Sequence, residues 1–460
     1  MKMTCVKSFE DRRTAIGLSA SAANVERCYD AGIAFSPTTQ RRHSAKMAAT
    51  TASLATAGPS PSHASLVGLD GVNFFVAGIS AGFGPYVAAY LADQKWTQDN
   101  IGFVLTASGL AGLLSQVPGG ELLDIVHSKR ALVVMGATMV AISAIVIAFE
   151  PSFPLVFTAL VLQGMTGGFL GPAIAAISLG LVGHAALPQR LGRNQRFAST
   201  GSLVAAALMG LIGYVLSYQA IFLTVVALTP ALFVALARIR ANDIHFGRAC
   251  GAPHHHMPSQ PVRASRRALL QSSGLLTFAI SLFLFQFANA SVLPLVVEAL
   301  VYQGAQRSSL MVSALIILPQ IIVAVMAPWV GRQAKSWGRR PLLLIGFGAL
   351  PIRALLFASA TDPSLLLCLQ VLDGISGAVL GVLTALVVAD LTSGSGRFNL
   401  AQGIVGTASG IGASLSTTLF GLIAVSVGRT AVFVSIASVA LLGTLVLWFF
   451  MPETRPAAGQ

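Results

Sequence analysis

From residue 66 onward the chain alternates long apolar runs with short polar breaks. A helix needs about 20 mostly apolar residues to cross the hydrocarbon core of a bilayer. Twelve runs meet that length, at 66–91, 100–118, 131–149, 154–182, 196–216, 219–237, 273–300, 308–330, 341–359, 364–391, 399–426 and 430–451. Most are apolar on every side, the pattern of helices surrounded by lipid and by one another. The longest internal break, 238–270, separates six runs from six. The expected architecture is an all-α membrane protein of twelve transmembrane helices in two six-helix bundles. Its parts are a tail over 1–64, a first bundle over 65–237, a linker over 238–271, a second bundle over 272–451 and a C-terminal tail over 452–460.

Composition removes the soluble alternatives. Charged residues make up 10% of the 460 residues and hydrophobic ones 55%, whereas a soluble domain carries about 25% charge. The net charge of +13 does not indicate nucleic acid, because the basic residues are scattered between apolar runs with no aromatic interleaving. They indicate orientation instead. With both termini cytoplasmic, the inside loops and span edges hold sixteen Lys and Arg, while the outside loops hold three, Lys95, Arg307 and Arg429. The positive-inside bias therefore places both termini in the cytoplasm, in a plasma or inner membrane. The first 64 residues lack the apolar core of a secretory signal. They read as a disordered basic tail, an organelle transit peptide or a start placed upstream of Met47; Glu10, Asp11, Glu26 and Asp30 count against the transit peptide. Cys5, Cys28, Cys250 and Cys368 match no metal or redox spacing and read as free thiols. The run His254-His255-His256 in the linker has no carboxylate or Cys ligand close by and reads as a solvated loop rather than a metal site. No cofactor is expected.

The two halves repeat at an offset of about 210 residues. Val161-Leu162-Gln163-Gly164-Met165-Thr166-Gly167-Gly168-Phe169-Leu170-Gly171-Pro172 aligns with Val371-Leu372-Asp373-Gly374-Ile375-Ser376-Gly377-Ala378-Val379-Leu380-Gly381-Val382, with six of the twelve positions identical. Pro85 in span 1 corresponds to Pro294 in span 7, and the stretch Leu191–Asn194 after span 4 echoes Gly396–Asn399 after span 10. Repeated halves are characteristic of secondary transporters, with the substrate site between them.

A loop motif also recurs. After span 2 come Gly120, Asp124, Lys129 and Arg130; after span 8 come Gly331, Lys335, Gly338, Arg339 and Arg340. With the helix count and the duplication, this resembles the signature loop of the major facilitator superfamily, over about residues 66–451. The resemblance implies two pseudo-symmetric bundles that rock around a central site, with these loops as latches of the cytoplasmic gate. Gly lets backbones approach, and a carboxylate can sit at the positive end of a neighbouring helix. The chain departs from the pattern at His127, where the family has Gly, and at Lys335, which occupies the acidic position. Two features of drug–proton antiporter branches are missing: Gly201–Gly213 contains no proline, and Leu160 stands where those proteins carry Arg.

The resemblance also implies a cavity lined by helices 1, 4, 7 and 10. Those spans carry polar residues at helical spacing: Asp70, Asn73 and Ser80; Gln163 and Thr166; Gln286 and Asn289; Asp373 and Ser376. Asp373 lies ~15 Å into its span at 1.5 Å per residue, a position where a carboxylate is functional by default. Asp373, and after it Asp70, are the proton-coupling candidates. Arg353 in span 9 reads as structural, its long stem snorkelling outward. With two carboxylates and no cation in the four spans, a neutral or cationic organic solute is expected. The partners are then the lipid bilayer, a small solute and, if Asp373 titrates, protons. The chain is expected to act as a monomer, with export favoured over import. No Lys follows a Gly, so there is no phosphate-binding loop for an ATP-driven pump. No His-Glu-x-x-His metalloenzyme motif is present. The alternative is a transporter-like sensor or assembly protein without transport.

Overall fold

The computed structural model describes residues 61–252, 269, 271–302, 308–360 and 362–455. The expected tail, except for 61–64, and the run His254-His255-His256 lie outside them. The helices are α1 (His63–Ala81), α2 (Gly84–Asp93), α3 (Gln98–Ile125), α4 (Lys129–Phe149), α5 (Phe153–Val215), α6 (Tyr218–Ala237), α7 (Phe246–Ala249), α8 (Ser273–Asn289), α9 (Val292–Tyr302), α10 (Ser308–Ser336), α11 (Arg340–Ser359), α12 (Pro363–Leu391), α13 (Phe398–Val427) and α14 (Arg429–Phe450). Among the described residues, eleven stretches are long and apolar enough to cross a membrane. One of them, α5, runs for 63 residues and is broken at Gly183, with φ 66° and ψ 175°. It makes two crossings, so the total is twelve. Large exposed apolar side chains such as Leu211, Tyr214, Val425 and Phe449 face outward, where lipid would cover them.

Three boundaries differ from the sequence expectation. Spans 1 and 7 are each broken, between α1 and α2 and between α8 and α9. Pro85 and Pro294 sit just beyond the breaks, and proline supplies no N–H to the preceding turn. Spans 4 and 5 have no loop between them: Gly183 alone makes the turn, in a backbone region that only glycine adopts freely. Leu191–Asn194 is therefore helical, whereas its echo Gly396–Asn399 is a true turn, with Gly394 and Gly396 at φ 80° and 64°. Finally, α3 and α10 continue to Ile125 and Ser336. Gly120, Asp124, Gly331 and Lys335 thus lie in the last turns of helices, not in loops.

Two apolar cores hold the bundle. One is built from α1 to α6, with Leu69, Val133 and Phe222 fully buried. The other is built mainly from α8 to α14, with Phe278, Phe347 and Phe433 at its centre. Within the first, α3 and α5 approach backbone to backbone. A Cβ on Gly164 would collide with the Ser108 carbonyl, and one on Gly168 with Ser115. Gly109, by contrast, has nothing within 4 Å. Gly164→Ala should therefore destabilise the fold by about 1–3 kcal/mol through overpacking. Gly109→Ala should leave it unchanged or slightly more stable. Unfolding midpoints of the two variants in detergent check both.

Candidate gate and substrate cavity

The repeats meet along two helix pairs whose contacts follow one register. On the first pair, Gly120 of α3 abuts the Asn399 carbonyl of α13, and Gly403 of α13 abuts the Gln116 carbonyl of α3. On the second, Gly331 of α10 abuts the Pro188 carbonyl of α5, and Gly192 of α5 abuts the Ala327 carbonyl of α10. One 211-residue offset relates Gly120 to Gly331, Gly192 to Gly403, Gln116 to Ala327 and Pro188 to Asn399. The duplication seen in the sequence is thus repeated in the packing. The first seam extends to Gly410, which packs on the Leu113 side chain. Past that point the facing surfaces separate: Gly102 and Gly109 of α3 and Gly421 of α13 have no neighbour within 4 Å. Along this seam the structure is closed at the Asp124 end and parted at the other.

Asp124 holds the closed end. Its carboxylate accepts from the Asn399 backbone N–H at 3.2 Å, the Asn399 side-chain amide at 2.8 Å and the Leu400 N–H at 2.9 Å. These are first-turn groups of α13, whose own N-cap residue Arg397 makes no capping bond. An anion at that place also meets the positive helix end. Lys129 is fully buried beside it and donates to the Leu123 carbonyl and, at 2.8 Å, to that of Val126. Arg130 is half-buried, with its Nε lacking a hydrogen-bond partner.

The second copy works differently. Lys335 is exposed. The residue that would face it, by the same offset, lies at Pro188, inside a helix that is continuous from 184. Pro188 has no N–H and its neighbours are bonded along the helix, so a carboxylate has nothing to cap. Arg339 and Arg340 do not bridge the repeats either. Arg339 pairs with Asp390 at 2.8 Å, and the Arg339 and Arg340 N–H groups donate to the Glu453 carboxylate at 2.8 and 3.1 Å. Gly338, at φ 96°, passes so close to Glu453 that a Cβ would lie 2.5 Å from its carboxylate. The expected second latch is therefore a brace between the start of α11 and the C-terminal segment.

Above the closed end lies a cavity in two compartments that share Leu380, Thr384 and Gly406. The larger, about 460 Å³, is lined by Asn73, Gln116, Asn194, Gln195 and Gln402 among glycines of α5, α12 and α13. The smaller, about 320 Å³, is lined by Phe285, Gln286, Asn289, Asp373, Ser376 and Ser409 among others. Five expected residues are present: Asn73, Gln286, Asn289, Asp373 and Ser376. Four line neither compartment. Asp70 is buried against Arg190 and Arg193, at 2.5 and 2.6 Å. The Ser80 hydroxyl donates to the Val76 carbonyl of its own helix at 2.9 Å. Thr166 donates to the Gln163 carbonyl, and the Gln163 side chain accepts from Ser108 of α3. The glycine contact with α3 turns that face of α5 away from the cavity and presents Gly167 and Gly171 instead. Gln116, Gln195 and Gln402 lie on helices other than the four expected to line the cavity.

The largest correction concerns Arg353. Its side chain is 4% exposed and pairs with Asp373. It also donates to Asn289 and, at 3.4 Å, to Gln370. It does not snorkel outward, because a guanidinium in a dry interior is stable only when paired. Asp373, with 33% of its side chain exposed, is an ion-paired residue at the cavity wall and not a lone carboxylate.

The sequence profile of the Major Facilitator Superfamily matches residues 69–300 and 278–460. The chain belongs to this superfamily. An uncharacterised MFS-type transporter of Mycobacterium tuberculosis is 36% identical over 390 residues, 84% of this chain and 93% of its own. The class B tetracycline resistance protein of Escherichia coli is 30% identical over 141 residues, 31% of this chain and 34% of its own. Among solved structures, the proton:xylose symporter XylE has a TM-score of 0.63 at 15% identity, covering 85% of this chain and 95% of that one. The human organic anion transporter MFSD10 has 0.62 at 16%, covering 84% and 98%. These two show the shared fold. The protein is a multi-pass membrane transporter of small molecules. In it, Asp124→Ala should cost about 1–3 kcal/mol, the range for orphaned buried hydrogen-bonding groups. Lys335→Ala should fall within about 0.5 kcal/mol of the parent, as an exposed position does. Unfolding midpoints of the pair test the asymmetry.

Proposed function

We propose that this transporter moves a small neutral organic solute by alternating access, coupled to a proton carried by Asp373. The Asp373–Arg353 pair carries the reading: its carboxylate is open to the smaller compartment and its guanidinium is buried behind it. Protonating Asp373 removes the charge that holds Arg353. The guanidinium then depends on Asn289 and Gln370, a poorer environment for a buried cation. Asn289 is the last residue of α8, just before the break into α9. A change at the pair therefore acts on a place where the helix can bend.

Neutrality of the solute follows from the same pairing. With Asp70 and Asp373 each neutralised by arginine, the lining offers amides, hydroxyls, apolar groups and bare glycine backbone. Such a lining orients a neutral solute by hydrogen bonds, and a cationic one loses its reason to bind. The fold is shared with a proton:xylose symporter, which is consistent with a proton driving uptake or release of an uncharged cargo. The excess of Lys and Arg at the Asp124 end supports a cytoplasmic position for that end, and on this reading the structure is the state closed to the cytoplasm.

A neutral-solute library scored by thermal shift supplies candidate cargo, and flux into proteoliposomes under an imposed pH gradient tests coupling. The parent should accumulate its solute against a gradient. Asp373→Asn should lose gradient-driven accumulation at least tenfold while retaining solute exchange, because cavity and gate remain. Accumulation by Asp373→Asn at the parent's rate would remove Asp373 from the proton path. The sign of the pH dependence also reports whether transport is import or export.

A further inference from the structure

The linker after α6 does not stay with one repeat. Ile239 and Ile244 pack on the first core, and Asp243 is tied to the start of α1 by the Ser62 and Ser65 hydroxyls at 2.6 and 2.7 Å. Those bonds hold the Asp243 carboxyl below the usual carboxylate range, the Ser62 bond contributing most. The His245 N–H donates to the Gly180 carbonyl at 3.2 Å. Gly180 leaves room for this: a Cβ there would lie 2.9 Å from Ile244 and 3.1 Å from Ala249. The Phe246 ring stacks on His127, centroids 4.2 Å apart and 12° from parallel. The Lys129 ammonium stands 4.6 Å from the same ring. Lys129 and the Asp124 carbonyl also approach the Cys250 sulfur, at 3.6 and 3.7 Å. All these contacts are with the first repeat.

The next carbonyls along the segment point the other way. Gly251 O accepts from the Gly394 and Gly396 N–H groups at 2.8 and 3.4 Å, and Cys250 O accepts from the Phe398 N–H at 3.2 Å. Ala249 O accepts from the Asn399 side chain at 3.2 Å. Phe398, Asn399 and Leu400 open α13. The first N–H is thus capped by Cys250 and the next two by Asp124. The Arg397 N–H before them goes to Ser395 Oγ at 3.2 Å, so three of the four N–H groups that open the helix are capped from the first repeat and its linker.

We propose that residues 245–251 form a strap that is a working part of the gate: it caps α13 when the seam is closed and parts from it, staying with the first repeat, each time the seam opens. The proposal rests on the alternating-access reading above. It also accounts for His127. Glycine there would leave Phe246 without its stacking partner, so the departure from the family pattern belongs with the strap.

Cys250 is the natural reporter. It is 4% exposed, and a buried thiol reacts only through opening, so its alkylation rate tracks the open population. The background is the full chain with Cys5→Ser, Cys28→Ser and Cys368→Ser. Gly403→Ala is then added to force the seam apart, since a Cβ at Gly403 collides with the Gln116 carbonyl without touching the strap. Gly120→Ala repeats the wedge from α3. A second set carries Cys250→Ser and Val117→Cys as a reporter of the seam itself, Val117 lying beside Gly403. Maleimide labelling of both sets is followed with time. The strap predicts slow labelling of Cys250 in the background and a rise of roughly tenfold or more with either wedge, in step with the seam reporter. Faster labelling at the seam with Cys250 still protected would show a static brace and overturn the strap while leaving alternating access intact. No rise at either reporter would overturn both. Fast labelling of Cys250 without a wedge would show that the strap is not docked.

Discussion

A helix that begins inside a dry interface needs partners for its first N–H groups. At α13 the Arg397 N–H goes to Ser395 Oγ, but the Asn399 and Leu400 N–H groups find their partner in the other repeat, at Asp124. Much of the closed end follows from this requirement. Asp124 must reach across, so α3 must lie against α13. That approach leaves no room for a Cβ at Gly120 or Gly403. The linker carbonyl of Cys250 completes the cap. The related end of α5 escapes the requirement, because its helix starts at 184 and its N–H groups near Pro188 are bonded internally. The two seams are symmetric in backbone register and asymmetric in chemistry, and Lys335 in place of a carboxylate is the visible result.

Charge obeys a related constraint. Three carboxylates are paired with guanidinium groups, Asp70 with Arg190, Asp373 with Arg353, and Asp390 with Arg339. Each pair ties different helices, or distant parts of one repeat, together, and removing one partner leaves the other buried and uncompensated. Pairing with Arg353 also neutralises the carboxylate at the cavity wall. What remains on the wall is amide, hydroxyl and exposed backbone at glycine, a surface that discriminates by hydrogen-bond geometry. The one pair that meets the cavity, Asp373–Arg353, is also bonded to the end of α8, where proline permits a break. Cavity wall, ion pair and helix break are contiguous there.

The particular residues show why some features were readable from the chain. Asp124 stood out because its spacing from Gly120 is local and the helix end it serves is close to a duplicated motif. Asn289 and Ser376 stood out because polar groups in apolar helices are costly and must face inward. Gln163 and Thr166 meet that same demand by bonding within α5 and to α3, so polarity alone placed them on the wrong face. Arg353 obeyed the rule too, through a partner 20 positions away on another helix, which no periodicity encodes. Gln116 and Gln402 carry no such signal, because they lie on α3 and α13, where the cavity floor and the seam are one surface.

By itself, then, the sequence determined twelve crossings, the duplication and the spacing of Gly120 and Asp124. These depend on the length of apolar runs, on self-similarity and on spacing within a single turn, all of which are local. The tertiary structure decided which way each helix is rotated, which charges pair, where spans 1 and 7 break, and that the linker reaches α13. Rotation and pairing are set by close contacts between helices, chiefly at glycine. Because a glycine has no side chain, the residues that control those contacts leave almost no polar or apolar signal in the chain.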